Sequence, residues 1–324
     1  MLLRDVSKTW SEEGCKKEMS FPAYNRDTGL EYGRAFPCEL KSFLEEHELT
    51  DKFSYQGTHF SKDDVVIASY ASGNHMNEIR KSIASIRSKM TNKIIIYDLG
   101  LSKPQADELR GVCNLELRRF RFEKYYSPIR HLKSYHFKGI ILAEIFREFP
   151  AFWFLDASIR FKDGSADAQE QFYARVQNGS IESFVMRTPC SHSTFAATNP
   201  QMYSYLPISP ALARSRMLES GTIFVWRNDF SRQVIKWNAL CALTPACIAP
   251  RSARIQCYYN LEKQFEDYVY CHRFDQSALN IITSSLMERD GWKRRDAIGD
   301  NVLAFTHAKR GDDLYAPLEL ECAT

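Results

Sequence analysis

The run DVVIASY (64–70) and the run KIIIYD (93–98) together decide the class of fold. Both are short, β-branched and apolar almost throughout, as strands buried on both faces are. Between them Ile79, Ile83, Ile86 and Met90 recur at spacings of four, three and four, which is one face of a helix. Ser72 and Asn74 supply capping side chains ahead of that helix. Strand, helix, strand makes a βαβ unit, whose two strands run parallel. The pattern continues outward. Ser102 with Pro104 opens a helix through 111, and LELRRFRF (115–122) is a third, more amphipathic strand. A helix covers 134–148, and AFWFLD (151–156) is apolar enough to belong at the centre of a sheet. Helices at 167–177, 229–243 and 275–288 follow, with strands at 181–187, 221–226 and 301–306. The expected fold is α/β, with a mostly parallel central sheet flanked by helices. Strands 65–70, 93–98, 115–122 and 151–156 should be adjacent, and ligands should bind beyond their carboxyl ends.

Residues 1–62 are irregular and charged, with Pro22, Pro37 and a single helix-like patch, CELKSFLEEHEL (38–49). They read as an N-terminal extension or stem, with the working domain over 63–324. Of the 324 residues 44% are apolar and 26% charged, which excludes a largely disordered chain. Lys plus Arg (43) exceed Asp plus Glu (40) by 3, too small an excess for a nucleic-acid binder. No apolar run approaches the roughly 18 residues of a membrane span, and MLLRDVSKTWSEEGCKK lacks a signal-peptide core. The nine cysteines contain no C-x-x-C pair, against a zinc ribbon or thioredoxin-type site. Four of them, Cys241, Cys247, Cys257 and Cys271, crowd one stretch, so at least one disulfide is expected among them, in an oxidising compartment. Four cysteines allow three connectivities, and sequence does not choose between them. Buried free thiols are the alternative. The secretory lumen, with the Golgi as the named site, follows from the first reading; the cytoplasm follows if the thiols are free and the N-terminus is complete. The sequon Asn178-Gly179-Ser180 is compatible with the lumen.

Chemistry is expected at the strand ends. Two strands deliver a carboxylate there, Asp98 in IIIYDLG and Asp156 in FWFLDAS, where Ser158 adds a second oxygen. An acid at a sheet edge can hold a divalent cation or a ribose, and it can equally close a turn. There is no G-x-G-x-x-G after the first strand, and no Walker loop, G-x-S-x-G or H-E-x-x-H motif. The stretch 116–138 carries Arg118, Arg119, Arg121, Lys124, Arg130, Lys133 and Lys138 among aromatics. It could neutralise a polyphosphate or bind RNA, or be a solvated strand face and helix start.

The series VVIASYAS, IIIYDLGLS, FWFLDASIRF, ESGTIFVWRN and HRFDQSALNII resembles a nucleotide-sugar-dependent glycosyltransferase of the GT-A fold. It is most similar to a metazoan glycosyltransferase-like family in which YDLGLS, WFLDASIRF and HR-x-DQSALN recur in this order, and more distantly to glycogenin-like enzymes. The resemblance spans roughly residues 63–311 and makes 63–324 a GT-A-like catalytic domain. It implies Asp156-Ala157-Ser158 at the D-x-D position, with Ser158, an uncharged and weaker ligand, in last place. It implies Asp156 and His307 as ligands of Mn²⁺ or Mg²⁺, and Lys309 near the donor phosphates. Asp275 and Gln276 match the pair lining the donor-sugar and acceptor pocket. Ser69, Tyr70 and Asp98 sit where base and ribose are held, and Gly221, in Glu219-Ser220-Gly221, at the approach to the sugar. The donor implied is a nucleotide sugar, UDP-linked, and the acceptor a glycan or glycoprotein.

Those residue types suit the chemistry on their own terms. A leaving nucleoside diphosphate needs a hard cation or Lys and Arg, with Lys138 or Lys309 as candidates. An oxocarbenium-like centre needs a carboxylate, for which Asp275 is the candidate, although Asp275 ahead of QSALNII also suits a helix N-cap. The leading reading is transfer of a hexose from a nucleotide sugar. Two others stay open: an inactive GT-A-like binding or scaffold domain, and a polyphosphate- or RNA-binding α/β protein.

Overall fold

A computed structural model describes residues 12–25, 28–125, 127–162, 166–186, 189–290 and 306–310. The chain opens with α1 (Glu12–Glu18), a hairpin of β1 (Pro22–Asn25) and β2 (Gly29–Tyr32), and α2 (Lys41–Glu46). Then come β3 (Val66–Ala71), α3 (Met76–Arg87), β4 (Ile94–Asp98), α4 (Lys103–Arg110), β5 (Leu115–Arg119), α5 (His136–Glu148) and β6 (Ala151–Leu155). After them run β7 (Ile159–Phe161), α6 (Ala166–Gln177), β8 (Phe184–Met186), β9 (Pro189–Ser193), α7 (Pro210–Ala213), β10 (Arg216–Leu218) and β11 (Thr222–Trp226). The last described elements are α8 (Asp229–Leu243), α9 (Pro245–Ile248), α10 (Phe274–Asp290) and β12 (Thr306–Ala308).

The central sheet has six strands in the order β5-β4-β3-β6-β11-β8. β5, β4, β3 and β6 are mutually parallel neighbours, as right-handed crossovers require. β11 enters antiparallel between β6 and β8. The alternation of side chains builds two cores. Val66, Ala68, Ile95, Tyr97, Phe152 and Phe154 face a layer containing α5, α8 and α10. Ile67, Ile94, Ile96, Trp153 and Leu155 face α3 and α6 on the other side. Both faces are covered, which is why these strands carry no polar alternation. Gly139 sets how close α5 and α8 come, since a Cβ there would stand 2.6 Å from the Ala242 Cβ.

Several details differ from the sequence reading. β5 stops at Arg119 instead of 122, because the chain turns into a 3₁₀ segment at Phe122–Lys124. Of the strand expected at 181–187, the part seen is Phe184–Met186, and residue 187 lies outside the described residues. Ser72 and Asn74 bond each other (2.7 Å) and a 3₁₀ turn, Gly73–His75, precedes α3, so neither side chain caps it. Ser102 does cap α4, in a reciprocal pair with Gln105. Residues 301–305 of the last expected strand lie outside the described residues, and the strand seen is Thr306–Ala308, antiparallel to β7. The N-terminal segment supplies Met19, Phe21, Phe36, Leu44 and Leu49 to the larger core, so its described part packs as core despite its irregular sequence. Their spacing follows no helix or strand period, and periodicity is blind to it.

Among the described residues three disulfides are seen with both partners, Cys15–Cys38, Cys241–Cys247 and Cys257–Cys271. Cys113 is also disulfide-bonded, and Cys190 is a free thiol. The crowded four thus pair completely, the first with the second and the third with the fourth in chain order. Such usage fits a secretory or lumenal protein. No described helix is long and apolar enough to cross a membrane.

Candidate functional site

β6 ends at Leu155, and the chain then turns, placing Asp156 just beyond the carboxyl edge of the sheet. Ser69 on β3 holds that turn from below: its hydroxyl donates to the Leu155 carbonyl at 2.7 Å. The Asp156 amide donates to the Gly221 carbonyl (2.8 Å), and a Cβ on Gly221 would lie 3.0 Å from Asp156 Oδ2. Gly221 is therefore the residue type that leaves the carboxylate room.

Asp156 meets Lys138. Lys138 Nζ lies 2.9 Å from Asp156 Oδ1 and 3.0 Å from Asp275 Oδ2. The Tyr70 hydroxyl also donates to Asp156 Oδ1, at 2.5 Å, and the Ser220 hydroxyl donates to Asp275 Oδ2 at 2.9 Å. The ammonium lies 5.1 Å from the Tyr135 ring centre and 5.6 Å from that of Tyr70. Lys138 and Asp275 are buried. Burial alone would discharge Lys138, but the two carboxylates hold it protonated, well above the ordinary lysine range. Burial raises both acids as well. At Asp156 the charges of Lys138 and Arg310 and the Tyr70 hydroxyl outweigh it, so that carboxyl titrates below its usual value. At Asp275 burial and the neighbouring Asp156 charge prevail, and its carboxyl titrates above the usual value.

The two helices reach this cluster through unusual backbone. Tyr135, which opens α5, has φ 56°, and Phe274, which opens α10, has φ 40°. Bulky residues rarely adopt such angles, at a cost of about 1–3 kcal/mol each, and such strain gathers at functional sites. The two rings touch, with centres 5.9 Å apart. A cleft of about 1120 Å³ begins at Tyr135 and is lined further by Lys133, Arg254, Tyr258, Tyr268 and Tyr270. The Cys257–Cys271 disulfide closes the loop that carries these tyrosines.

The structure brings Tyr70, Lys138, Asp156, Gly221 and Asp275 together. Lys138, expected near phosphate, is instead committed to the two acids. Lys309 joins by its backbone, its amide donating to the Ser158 carbonyl at 2.8 Å. His307 lies on β12 in register with Arg160, two residues beyond Ser158. Asp98 shares the sheet edge, paired with Ala71, but its Oδ1 accepts the amides of Gly100 (2.8 Å) and Leu101 (2.7 Å), which closes a turn. Gln276 donates its amide to the Leu218 carbonyl (3.0 Å) and to the Cys190 sulfur (3.3 Å). Ser69 is buried beneath the site.

Tyr135 and Arg310 are members that the sequence did not single out. Arg310 is exposed, and its charge acts on Asp156, Tyr135 and Cys190. Its only sequence signal was its place after Lys309 in FTHAKRG.

A divalent cation is expected at Asp156 and His307. Asp156 Oδ1 is taken by Lys138 and Tyr70, the Ser158 carbonyl by Lys309. Among the described residues no three His, Cys, Asp or Glu side chains gather to hold an ion. The basic stretch at 116–138 is committed in part, while Arg121, Lys124, Arg130 and Lys133 are exposed. Arg118 pairs with Glu116 and Glu148, both at 2.7 Å, Arg119 pairs with Glu123 (3.0 Å), and Lys138 is buried.

Residues 11–143 match a family described as "Protein of unknown function (DUF1647)". No curated protein matches the chain by sequence. Solved structures it is similar to include glycosyltransferases. One is the galactosyltransferase LgtC in complex with donor and acceptor sugar analogues, at 13% identity and TM-score 0.39, covering 67% of this chain and 70% of that one. Another is mouse xyloside xylosyltransferase 1, at 11% identity and TM-score 0.38, covering 68% and 81%. A third is core-mannan synthase A from Aspergillus fumigatus in its Mn/GDP form, at 9% identity and TM-score 0.41, covering 82% of each chain.

Proposed function

We propose that the protein transfers a hexose from a nucleotide sugar, UDP-linked, to a glycan or glycoprotein acceptor. The observation that carries this is the buried Lys138 bridging Asp156 and Asp275 at the carboxyl edge of the sheet, beside a tyrosine-lined cleft. Ligands of open parallel sheets bind at that edge. In the proposed reaction the bond between the anomeric carbon and the diphosphate oxygen breaks, and its electron pair leaves with the diphosphate. The acceptor hydroxyl oxygen bonds the anomeric carbon, and its proton passes to an oxygen of the departing diphosphate. Asp275, fixed by Lys138 and Ser220, supplies negative charge to the oxocarbenium-like centre. Lys309 and Arg310, both exposed, meet the charge of the departing diphosphate. The tyrosines offer faces for a nucleobase or a sugar ring.

Thermal unfolding with a panel of nucleoside diphosphates tests the binding half of this reading. UDP at a hundredfold excess over its Kd should stabilise the fold by about 2.7 kcal/mol. Arg310→Ala should weaken that binding. Equal unfolding curves with every nucleotide would remove the proposal.

A further inference from the structure

We propose that Asn178 is an N-glycosylation site that carries its glycan on the face of the molecule opposite the candidate active site. The tripeptide Asn178-Gly179-Ser180 forms the turn that ends α6, and all three residues are exposed. Its conformation suits an acceptor. The Asn178 carboxamide oxygen accepts the Ser180 amide at 2.9 Å, which holds asparagine and serine on one tight turn. Gly179 sits at φ 76°, with nothing within 4 Å of where its Cβ would be, so the middle of the turn faces open space.

Two further observations bear on it. The first is redox state: three described disulfides and a bonded Cys113 mark a chain that folds in an oxidising lumen, where such tripeptides meet the glycan-transferring enzyme. The second is position. Gln177 bonds the Phe60 carbonyl (3.2 Å) just ahead of β3, and β8 begins with Phe184, level through Val225 with Phe152 at the start of β6. The turn therefore lies at the amino edge of the parallel strands, whereas Asp156 follows their carboxyl edge. A glycan there leaves the cleft open.

In the modification, Asn178 Nδ2 bonds the anomeric carbon of an oligosaccharide carried on a lipid diphosphate. The carbon–oxygen bond to that diphosphate breaks, its electron pair leaves with the lipid diphosphate, and an amide proton passes to a base of the transferring enzyme. The test is intact mass of the full chain made in animal cells, before and after an amidase that releases N-glycans. Wild type should lose the mass of one oligosaccharide, with Asn178 converted to aspartate. Ser180→Thr should keep the modification, and Asn178→Gln and Ser180→Ala should abolish it with the disulfides intact. Disulfide-bonded wild type with an unmodified Asn178 would overturn the proposal, as would a native chain whose cysteines are all free thiols.

Discussion

Lys138 Nζ lies 3.0 Å from Asp275 Oδ2 although 137 positions separate the two residues in sequence. The same ammonium reaches Asp156 at 2.9 Å, so helix α5 is tied to α10 and to the end of β6 at one point. Exposed ion pairs contribute at most about 1 kcal/mol, but breaking a buried one leaves an uncompensated charge.

Lys138→Met should therefore destabilise the fold by about 3–5 kcal/mol, read as a lower denaturant midpoint. Adding Asp275→Asn to that variant should return part of the loss, because one stranded carboxylate is removed. An unchanged midpoint in Lys138→Met would mean that the bridge does not form in solution.

The acidic limb of the pH–rate profile should lie above the ordinary Asp value of 3.8. In the proposed reaction Asp275 acts ionised, and burial with the adjacent Asp156 charge raises its carboxyl. Moving the negative neighbour away, as in Asp156→Asn, should shift that limb to lower pH. A limb at or below 3.8 in the wild type would contradict the assignment of Asp275.

Asp51 supplies a separate acid-stability prediction. Burial pushes its carboxyl up, but Lys236 and Arg232 on α8 more than offset this and bring it down to about 2. A depressed carboxyl contributes stability that is present above its unfolded value of 3.8 and is lost as pH falls through about 2. Acid unfolding followed across that window should be shallower in Asp51→Asn, which is also less stable at neutral pH because Lys236 loses its counterion. Parallel curves for the two proteins would refute this.

Gly221→Ala places a methyl group 3.0 Å from Asp156 Oδ2. Displacing that carboxylate should lower turnover on the order of ten- to a hundredfold while the unfolding midpoint stays nearly constant. Full turnover in the alanine variant would mean that the position of Asp156 is unimportant.

The Cys257–Cys271 disulfide closes a loop with a sequence separation of 14. Replacing both cysteines with serine should cost about 3 kcal/mol and expose the tyrosine-bearing loop to protease. Ligand affinity should fall with it. Limited proteolysis that cuts elsewhere first would sever the loop from the cleft.

Most of the sheet was legible because its strands are buried on both faces and so read as unbroken apolar runs. β6 is the clearest case, all five of its residues being buried. The N-terminal contribution was hidden because Phe21 and Phe36 reach the Trp237 ring from irregular backbone, with no period to detect. At the site, Asp156 and Asp275 stood out as acids at element boundaries. Their common partner was given another role, because Lys138, one member of a basic stretch, was assigned to phosphate. The signal was nonetheless there: in HFKGIILAEIFRE every residue from His136 to Ala143 is buried, so a lysine among them requires a countercharge. Tyr135 and Arg310 depend on backbone angle and on the return of β12 beside β7, neither of which a local pattern encodes.

The most direct test of the transferase reading is release of UDP from a panel of UDP-hexoses, comparing wild type with Asp275→Asn. Wild type should release UDP from at least one donor, faster with a glycan acceptor present. The variant should still bind UDP but release it about a hundredfold more slowly, or slower still. No release from any donor by the wild type, or equal rates in the two proteins, would contradict the account.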